Sequence, residues 1–246
     1  MDRYIGLDVH AQSCTLAVLG PSGRRLKTQV VETNGKVLVD AIQGIAGCLH
    51  LCLEEGTQSA WLHELLSPHV EELVVMVPQE RKGVKDDLRD ATELAEKLRV
   101  GTIETRVYKA PKRLVGLRNA VRAYGMVTRD LVRAKNRLKA VFRARGIATD
   151  RTVYETDRRG DWPKQLPGAH RRLADWMGQE MDALLPLQQQ AQAWVKEEAN
   201  AHPIVRTLST APGMATRRSA QVVAIVGTPH RFRTRRQFWS YCGLGS

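Results

Sequence analysis

Asp8 stands in YIGLDVH, residues 4–10, as the one carboxylate of an otherwise apolar run. A charge inside such a strand costs several kcal/mol unless it is paired or holds a metal. Taken alone, Asp8 is better explained as a strand-end acid that accepts loop hydrogen bonds, so its company decides. Glu54 ends the apolar stretch CLHLCLE, with Glu55 beside it as the competing choice. Asp87 and Asp90 lie three residues apart in KDDLRDATELAEKLRVG and so share one helical face. Converging carboxylates are the donor set that two Mg²⁺ ions, roughly 3.5–4 Å apart, require for phosphoryl transfer. Asp86, Asp87 and Asp90 each read singly as acidic decoration of a helix N-terminus, favourable with its dipole. Four acids on a first strand, a fourth strand and a following helix favour the metal site. His10 could touch a scissile phosphate, but a strand-end histidine satisfied by a carbonyl is the favoured reading. Lys85 either reaches a phosphate or lays its stem along the surface.

The elements that must position these acids follow from periodicity. Residues 4–9 and 14–19 read as apolar strands joined by the short link HAQS, which suits an antiparallel hairpin. Residues 25–32 alternate as a third strand, and 34–47 read as a helix opened by Asn34-Gly35 and stopped by Gly47. A fourth strand (48–56), a helix (59–66), a fifth strand closed by Pro78 (72–78) and an amphipathic helix (85–101) complete the order βββαβαβα. That order predicts an α/β, ribonuclease-H-like mixed sheet flanked by helices, in which the first and fourth strands are neighbours.

The charge points to a polyanionic partner: net +12, with a pI near 9.9. From Arg106 to Arg145 thirteen Lys or Arg face a single acid, Asp130, and the first hundred residues carry no such excess. A helix over 111–146 carries Leu117, Tyr124, Leu131 and Leu138 at intervals of seven, with Leu114, Val121 and Phe142 beside them. This coiled-coil-like seam is expected to associate with another copy of the chain, giving a homo-oligomer. Arg118, Arg122, Arg129, Arg133, Lys135, Arg137 and Lys139 project elsewhere and are candidates for nucleic acid. A second long helix covers 168–201 with an interruption near Pro186, and TDRRGDWPKQLPG between the two helices reads as a loop or linker. After residue 203, STAPGMATRRSAQVVAIVG reads as helix, Pro-Gly turn and helix, a form whose helix N-terminus suits a phosphate. Arg217 and Arg218 would add charge there, although an ordinary helix-turn with a solvated basic face explains them as well. Arg231, Arg233, Arg235 and Arg236 form a basic patch whose aromatic neighbours Phe232, Phe238 and Trp239 are expected in the core. Trp61, Trp162, Trp176 and Trp194 are read as helix or linker packing. The expected domains are therefore 1–110, 111–202 and 203–246.

Cys14, Cys48, Cys52 and Cys242 show neither CxxC spacing nor nearby histidines, so zinc is not expected and the thiols read as reduced and cytoplasmic. No run is long and apolar enough for a membrane span, and the N-terminus lacks the apolar core of a signal peptide.

Five ordered motifs resemble the DEDD transposases of the insertion sequence 110 family. YIGLDVH is similar to the opening strand motif, with Asp8 as first acid. LCLEEGTQSAWLHELL resembles the motif of the second acid, at Glu54 or Glu55. KDDLRDATELAEKLRVG is similar to the third, giving Asp87 and Asp90. LVRAKNRLKAVFRARGI resembles the family's basic coiled-coil helix, and LSTAPGMATRRSAQVVAIVGTPHRFRTRRQFWSYCGLG the start of its C-terminal domain. The resemblance implies a DNA recombinase that uses Mg²⁺, a guide RNA and a serine nucleophile. In that family the serine follows the YCGL-type motif by a handful of residues. Ser246 comes too early, so a truncated member is expected, its nucleophile supplied from outside the chain. The alternative expectation is a non-catalytic nucleic-acid-binding remnant. An actin-like kinase is disfavoured, because DVHAQSC lacks the Gly-rich hairpin that would cradle ATP phosphates.

Overall fold

A computed structural model describes residues 1–79, 86–109 and 112–244, which divide into two units, Met1–Lys109 and Ala110–Ser246. Lys85 and Ser246 lie outside the described residues.

In the first unit, β1 (Asp2–Val9), β2 (Ser13–Leu19), β3 (Arg25–Glu32), β4 (Cys48–Glu54) and β5 (Glu72–Met76) form one sheet in the order β3-β2-β1-β4-β5. The β1–β2 and β2–β3 pairs are antiparallel, whereas β1–β4 and β4–β5 are parallel. This is the expected ribonuclease-H-like mixed sheet. Strand alternation gives its two faces different work. Ile5 and Leu7 point to one side, into a core with Leu38 and Ile42 of α1 (Gly35–Gln43) and Leu62 and Leu66 of α2 (Ser59–Leu66). Cys52, Val74 and Met76 meet Leu94 and Leu98 of α3 (Asp87–Val100) on the other side, with Tyr4 packed against them. Asn34 opens α1 by accepting from the Lys36 and Val37 N–H groups, and the helix stops at Gln43, short of the expected Gly47. Asp86 caps α3 through the Leu88 and Arg89 N–H groups, and Gly101 ends it in the left-handed region.

One contact fixes where α3 lies. A Cβ at Gly6 would sit 1.8 Å from the Ala91 carbonyl oxygen and 2.7 Å from the Ala95 nitrogen. Helix and strand backbones thus touch directly, which only Gly6 opposite two alanines allows.

In the second unit, α4 (Val115–Arg143) packs on α5 (Gly168–Asn200) as an antiparallel hairpin. The seam of Leu117, Tyr124, Leu131 and Leu138 is buried in that hairpin, against Ala174, Met181, Ala191 and Val195 of α5. This corrects the expectation of an interchain surface: the chain supplies the partner of its own heptad stripe. Pro186 does not interrupt α5, which is one helix of 33 residues. Packing on α4 continues at Met181 before the proline and at Ala191 and Val195 after it, offsetting the one lost backbone bond.

The segment expected as a linker is instead a built cap of three short 3₁₀ turns at 151–154, 159–161 and 163–165. Arg159 is buried there, bidentate on Asp182 of α5 at 2.9 and 2.7 Å and donating to the Val153 carbonyl at 3.1 Å. Trp162 meets Phe142 edge to face. Trp176, at 72% exposure, together with Trp61 and Trp194, departs from the packing roles expected of them. Beyond α5, α6 (Pro203–Ser209), a turn with Gly213 at φ 75°, and α7 (Thr216–Val226) give the expected helix–turn–helix. Val205, Ala220, Val223 and Ala224 share a core with Leu117, Tyr124 and Val195. Phe232 clusters with Phe238 and Tyr241 of α8 (Arg235–Tyr241), but Trp239 is half exposed rather than core.

Candidate metal centre

Asp8 lies two residues beyond Gly6 on the same face of β1, and Asp87 lies one turn before Ala91 on α3. The close contact at Gly6 therefore brings the two acids together. A ligand atom of each of Asp8, His10 and Asp87 lies within 4.8 Å of the others. His10 Nε2 stands 3.1 Å from Asp8 Oδ2 and 3.1 Å from Asp87 Oδ1, so the imidazole bridges the two carboxylates. The carbonyl-satisfied His10 of the sequence reading is thereby corrected: the ring is engaged by acids. Its backbone is engaged by the loop, through His10 N–H to the Ser13 carbonyl and the Thr33 hydroxyl to the His10 carbonyl. Asp-X-His in an extended segment, which places both side chains on one side, was the available signal.

Burial raises the Asp8 pKa above its ordinary 3.8; the charges of Asp87 and Asp90 push the same way, while His10 opposes them. The acid clustering that includes Asp90 is thus felt at Asp8. The parallel register aligns Gly6 with Cys52 and Leu7 with Leu53. Glu54 has the parity of Cys52, so it belongs to the α3 face as Asp8 does. Glu54 and Asp8 both line a cleft that also includes His10, Glu55, Gly56 and Ser59. Glu55 is otherwise committed: Lys109 forms an ion pair with it while donating to Ser59 Oγ at 2.8 Å.

Carboxylate oxygens at a half-buried strand end suit a hard divalent cation such as Mg²⁺. The raised Asp8 pKa comes first from burial and then from the charges of Asp87 and Asp90, both of which a bound cation would offset.

A family model described as "Transposase" matches residues 5–145, and a second, "Transposase IS116/IS110/IS902 family", matches residues 205–245. The chain belongs to the IS110 family of transposases. No curated protein matches it. Membership implies DNA binding and a divalent metal, and the acids on β1, β4 and α3 are placed in the first matched region of this family member.

Within the second unit, the basic residues of this IS110 member divide by their partners. Arg118, Arg122 and Arg129 are exposed on α4. Arg133 pairs with Asp130 at 3.2 Å, and Arg137 pairs with Glu180 of α5. Lys135 and Lys139 are partly buried, with Lys135 lying over the Tyr154 ring. Arg217 donates to the Tyr124 hydroxyl at 2.8 Å and covers its ring, and Arg218 donates to the Gly213 carbonyl at 2.7 Å. Among the described residues no helix is long and apolar enough to cross a membrane.

Proposed function

We propose that this family member cleaves and exchanges DNA strands with Asp8, Glu54, Asp87 and Asp90 as its metal-binding and catalytic acids, and Mg²⁺ as the metal. The observation that carries this reading is the meeting of Asp8 from β1 with Asp87 from α3, over the end of the strand whose register puts Glu54 on the same face. Bound there, Mg²⁺ would polarise the scissile phosphate and stabilise the charge that develops on it. The chain's own residues do the rest. Gly6, Ala91 and Ala95 hold α3 at the distance that lets the acids converge. His10 orients Asp8 and Asp87, and the strand parity that Glu54 shares with Asp8 favours it as the second acid over Glu55, which Lys109 engages. On this reading residues 1–110 are the catalytic domain, 111–202 a basic helical region and 203–246 a C-terminal transposase region. Arg118, Arg122, Arg129, Arg133, Lys135, Arg137, Lys139, Arg217 and Arg218 would contact the phosphates of DNA and of a guide RNA, in a homo-oligomer.

The test is cleavage of supercoiled plasmid carrying the element's ends, by the full chain with its RNA and Mg²⁺, mixed with a family protomer that supplies the serine but has lost its own acids. Asp8→Asn and Glu54→Gln should abolish nicking while Glu55→Gln retains it. Loss with Glu55→Gln and retention with Glu54→Gln would reassign the second acid. DNA binding without any metal-dependent cleavage by the wild type would leave the non-catalytic binding reading instead.

A further inference from the structure

We propose that Asp2, Cys48 and His50 form a second metal site, of thiolate–imidazole–carboxylate type, that takes Zn²⁺. The three sit at the starts of the parallel strands β1 and β4, where the register pairs Asp2 with Cys48. Cys48 and His50, two apart on one strand, point to the same side. Cys48 Sγ is 3.8 Å from His50 Nε2, and His50 Nε2 is 4.0 Å from Asp2 Oδ1. A ligand atom of each residue lies within 4.8 Å of the others. Tetrahedral Zn²⁺, with bonds of about 2.3 Å to sulfur and about 2.0–2.1 Å to nitrogen or oxygen, sets its ligand atoms about 3.4–3.6 Å apart. The Cys48–His50 and His50–Asp2 pairs, at 3.8 and 4.0 Å, need to close by about 0.2–0.6 Å to reach that spacing. The sequence reading that Cys48 has no nearby histidine is corrected by this pair.

The surroundings of His50 point the same way. Its ring stacks on Tyr4, with centroids 5.2 Å apart and planes 19° from parallel, which fixes its orientation. Nδ1 is enclosed and makes no hydrogen bond, but it faces the Glu72 carboxylate at 3.5 Å. Glu72 is itself held by Arg106 at 2.8 Å. A carboxylate behind the non-ligating nitrogen is the arrangement that sets a metal-bound histidine's tautomer and raises its basicity. Soft thiolate and imidazole donors select Zn²⁺ over Mg²⁺. On binding, the Cys48 thiol gives its proton to solvent and the sulfur becomes the anionic ligand. Asp8 stands six residues along β1 from Asp2, about 20 Å at the rise of an extended strand. The site is therefore independent of the acid cluster and would clip together the two strands that carry Asp8 and Glu54.

Cobalt(II) titration of the full, reduced chain tests this, because thiolate ligation gives a charge-transfer band in the near ultraviolet that carboxylate sites do not. One equivalent of Co²⁺ should produce the band and Zn²⁺ should abolish it. Cys48→Ser should lose the band, whereas Cys242→Ser and Asp8→Asn should keep it. Asp2→Asn alters an exposed side chain and leaves the core intact; it should weaken Co²⁺ binding at least tenfold, as should Glu72→Gln. No thiolate band at stoichiometric Co²⁺, a band undiminished in Cys48→Ser, or wild-type affinity in Asp2→Asn would each overturn the proposal.

Discussion

Gly6→Ala adds a single methyl group, and the structure makes it a severe change. The new Cβ would lie 1.8 Å from the Ala91 carbonyl oxygen, whereas ordinary contact begins at 3.4 Å. The helix must therefore withdraw by about 1.6 Å, because the obstacle is backbone and no rotamer relieves it. Overpacking typically costs about 1–3 kcal/mol, and a contact of this kind belongs at the upper end. For a unit of about 100 residues, that cost lowers the melting temperature by roughly 12–24 °C. The functional loss should be larger still. Withdrawal of α3 carries Asp87 away from Asp8 and His10, and a misplacement of about 1 Å in a catalytic constellation costs on the order of 100-fold in rate. Circular dichroism melts of the full chain and plasmid nicking in Mg²⁺ measure the two effects separately. A Gly6→Ala chain that melts and nicks as the wild type does would refute the reasoning, since α3 could not then lie where it governs the acids.

Three further outcomes follow from named contacts. Because burial and the neighbouring acids raise the Asp8 pKa, the protonated form favours the folded state. Stability from this group is present below the ordinary 3.8 and is lost as pH rises through the raised folded value. In chelator, Asp8→Asn should therefore lack this loss and gain on the wild type over that window, whereas saturating Mg²⁺ should reverse the order; parallel melting curves would contradict it. Replacing Arg118, Arg122 and Arg129 with Gln should reduce the slope of log affinity against log salt by about 2–3 for duplex DNA, at about 0.9 per phosphate contact. An unchanged slope in a binding titration would remove this face of α4 from the interface. Arg159→Met should destabilise the second unit by about 3 kcal/mol, leaving Asp182 without its bidentate partner. Denaturant melts that agree within a few tenths of a kcal/mol would show the cap to be dispensable.

Much of the first unit was legible in the sequence because each of its strands packs on at least one helix, so apolar runs and turn residues mark its elements directly. The mixed sheet, the β1–β2 hairpin and the adjacency of β1 and β4 followed from three leading strands and then strand–helix alternation, and the structure completes the order as β3-β2-β1-β4-β5. The second unit was harder, for a physical reason. A heptad stripe states that a helix has a partner without saying whether that partner is another chain or the same one 50 residues later. Leu117 and Leu138 satisfy the pattern equally in either case, and it is α5 that covers them. The cap at 151–165 escaped because the buried Arg159–Asp182 pair, the Phe142–Trp162 contact and the isolated core residues Val153 and Leu166 follow no periodicity.

For the candidate site, the acids were legible and their support was not. Asp8, Glu54, Asp87 and Asp90 stand out as residue types, and a carboxylate among apolar neighbours asks for an explanation. What brings Asp8 to Asp87, however, is Gly6 meeting Ala91 and Ala95, small residues that carry no chemistry, the alanines lying 85 and 89 positions after the glycine. A glycine inside a strand signals close backbone approach without naming what approaches. His10 was discounted because one histidine near a strand end is usually satisfied locally. Its role depends on Asp87, which reaches it only once the helix is seated. The same logic separates Glu54 from Glu55. Adjacent identical residues cannot be told apart by type, but Glu54 ends β4 with the parity of Asp8, whereas Glu55 lies beyond the strand and pairs with Lys109. The proposed metal centre would therefore be specified twice: by the acids themselves, and by the uncharged backbone contact that brings Asp8 and Asp87 together.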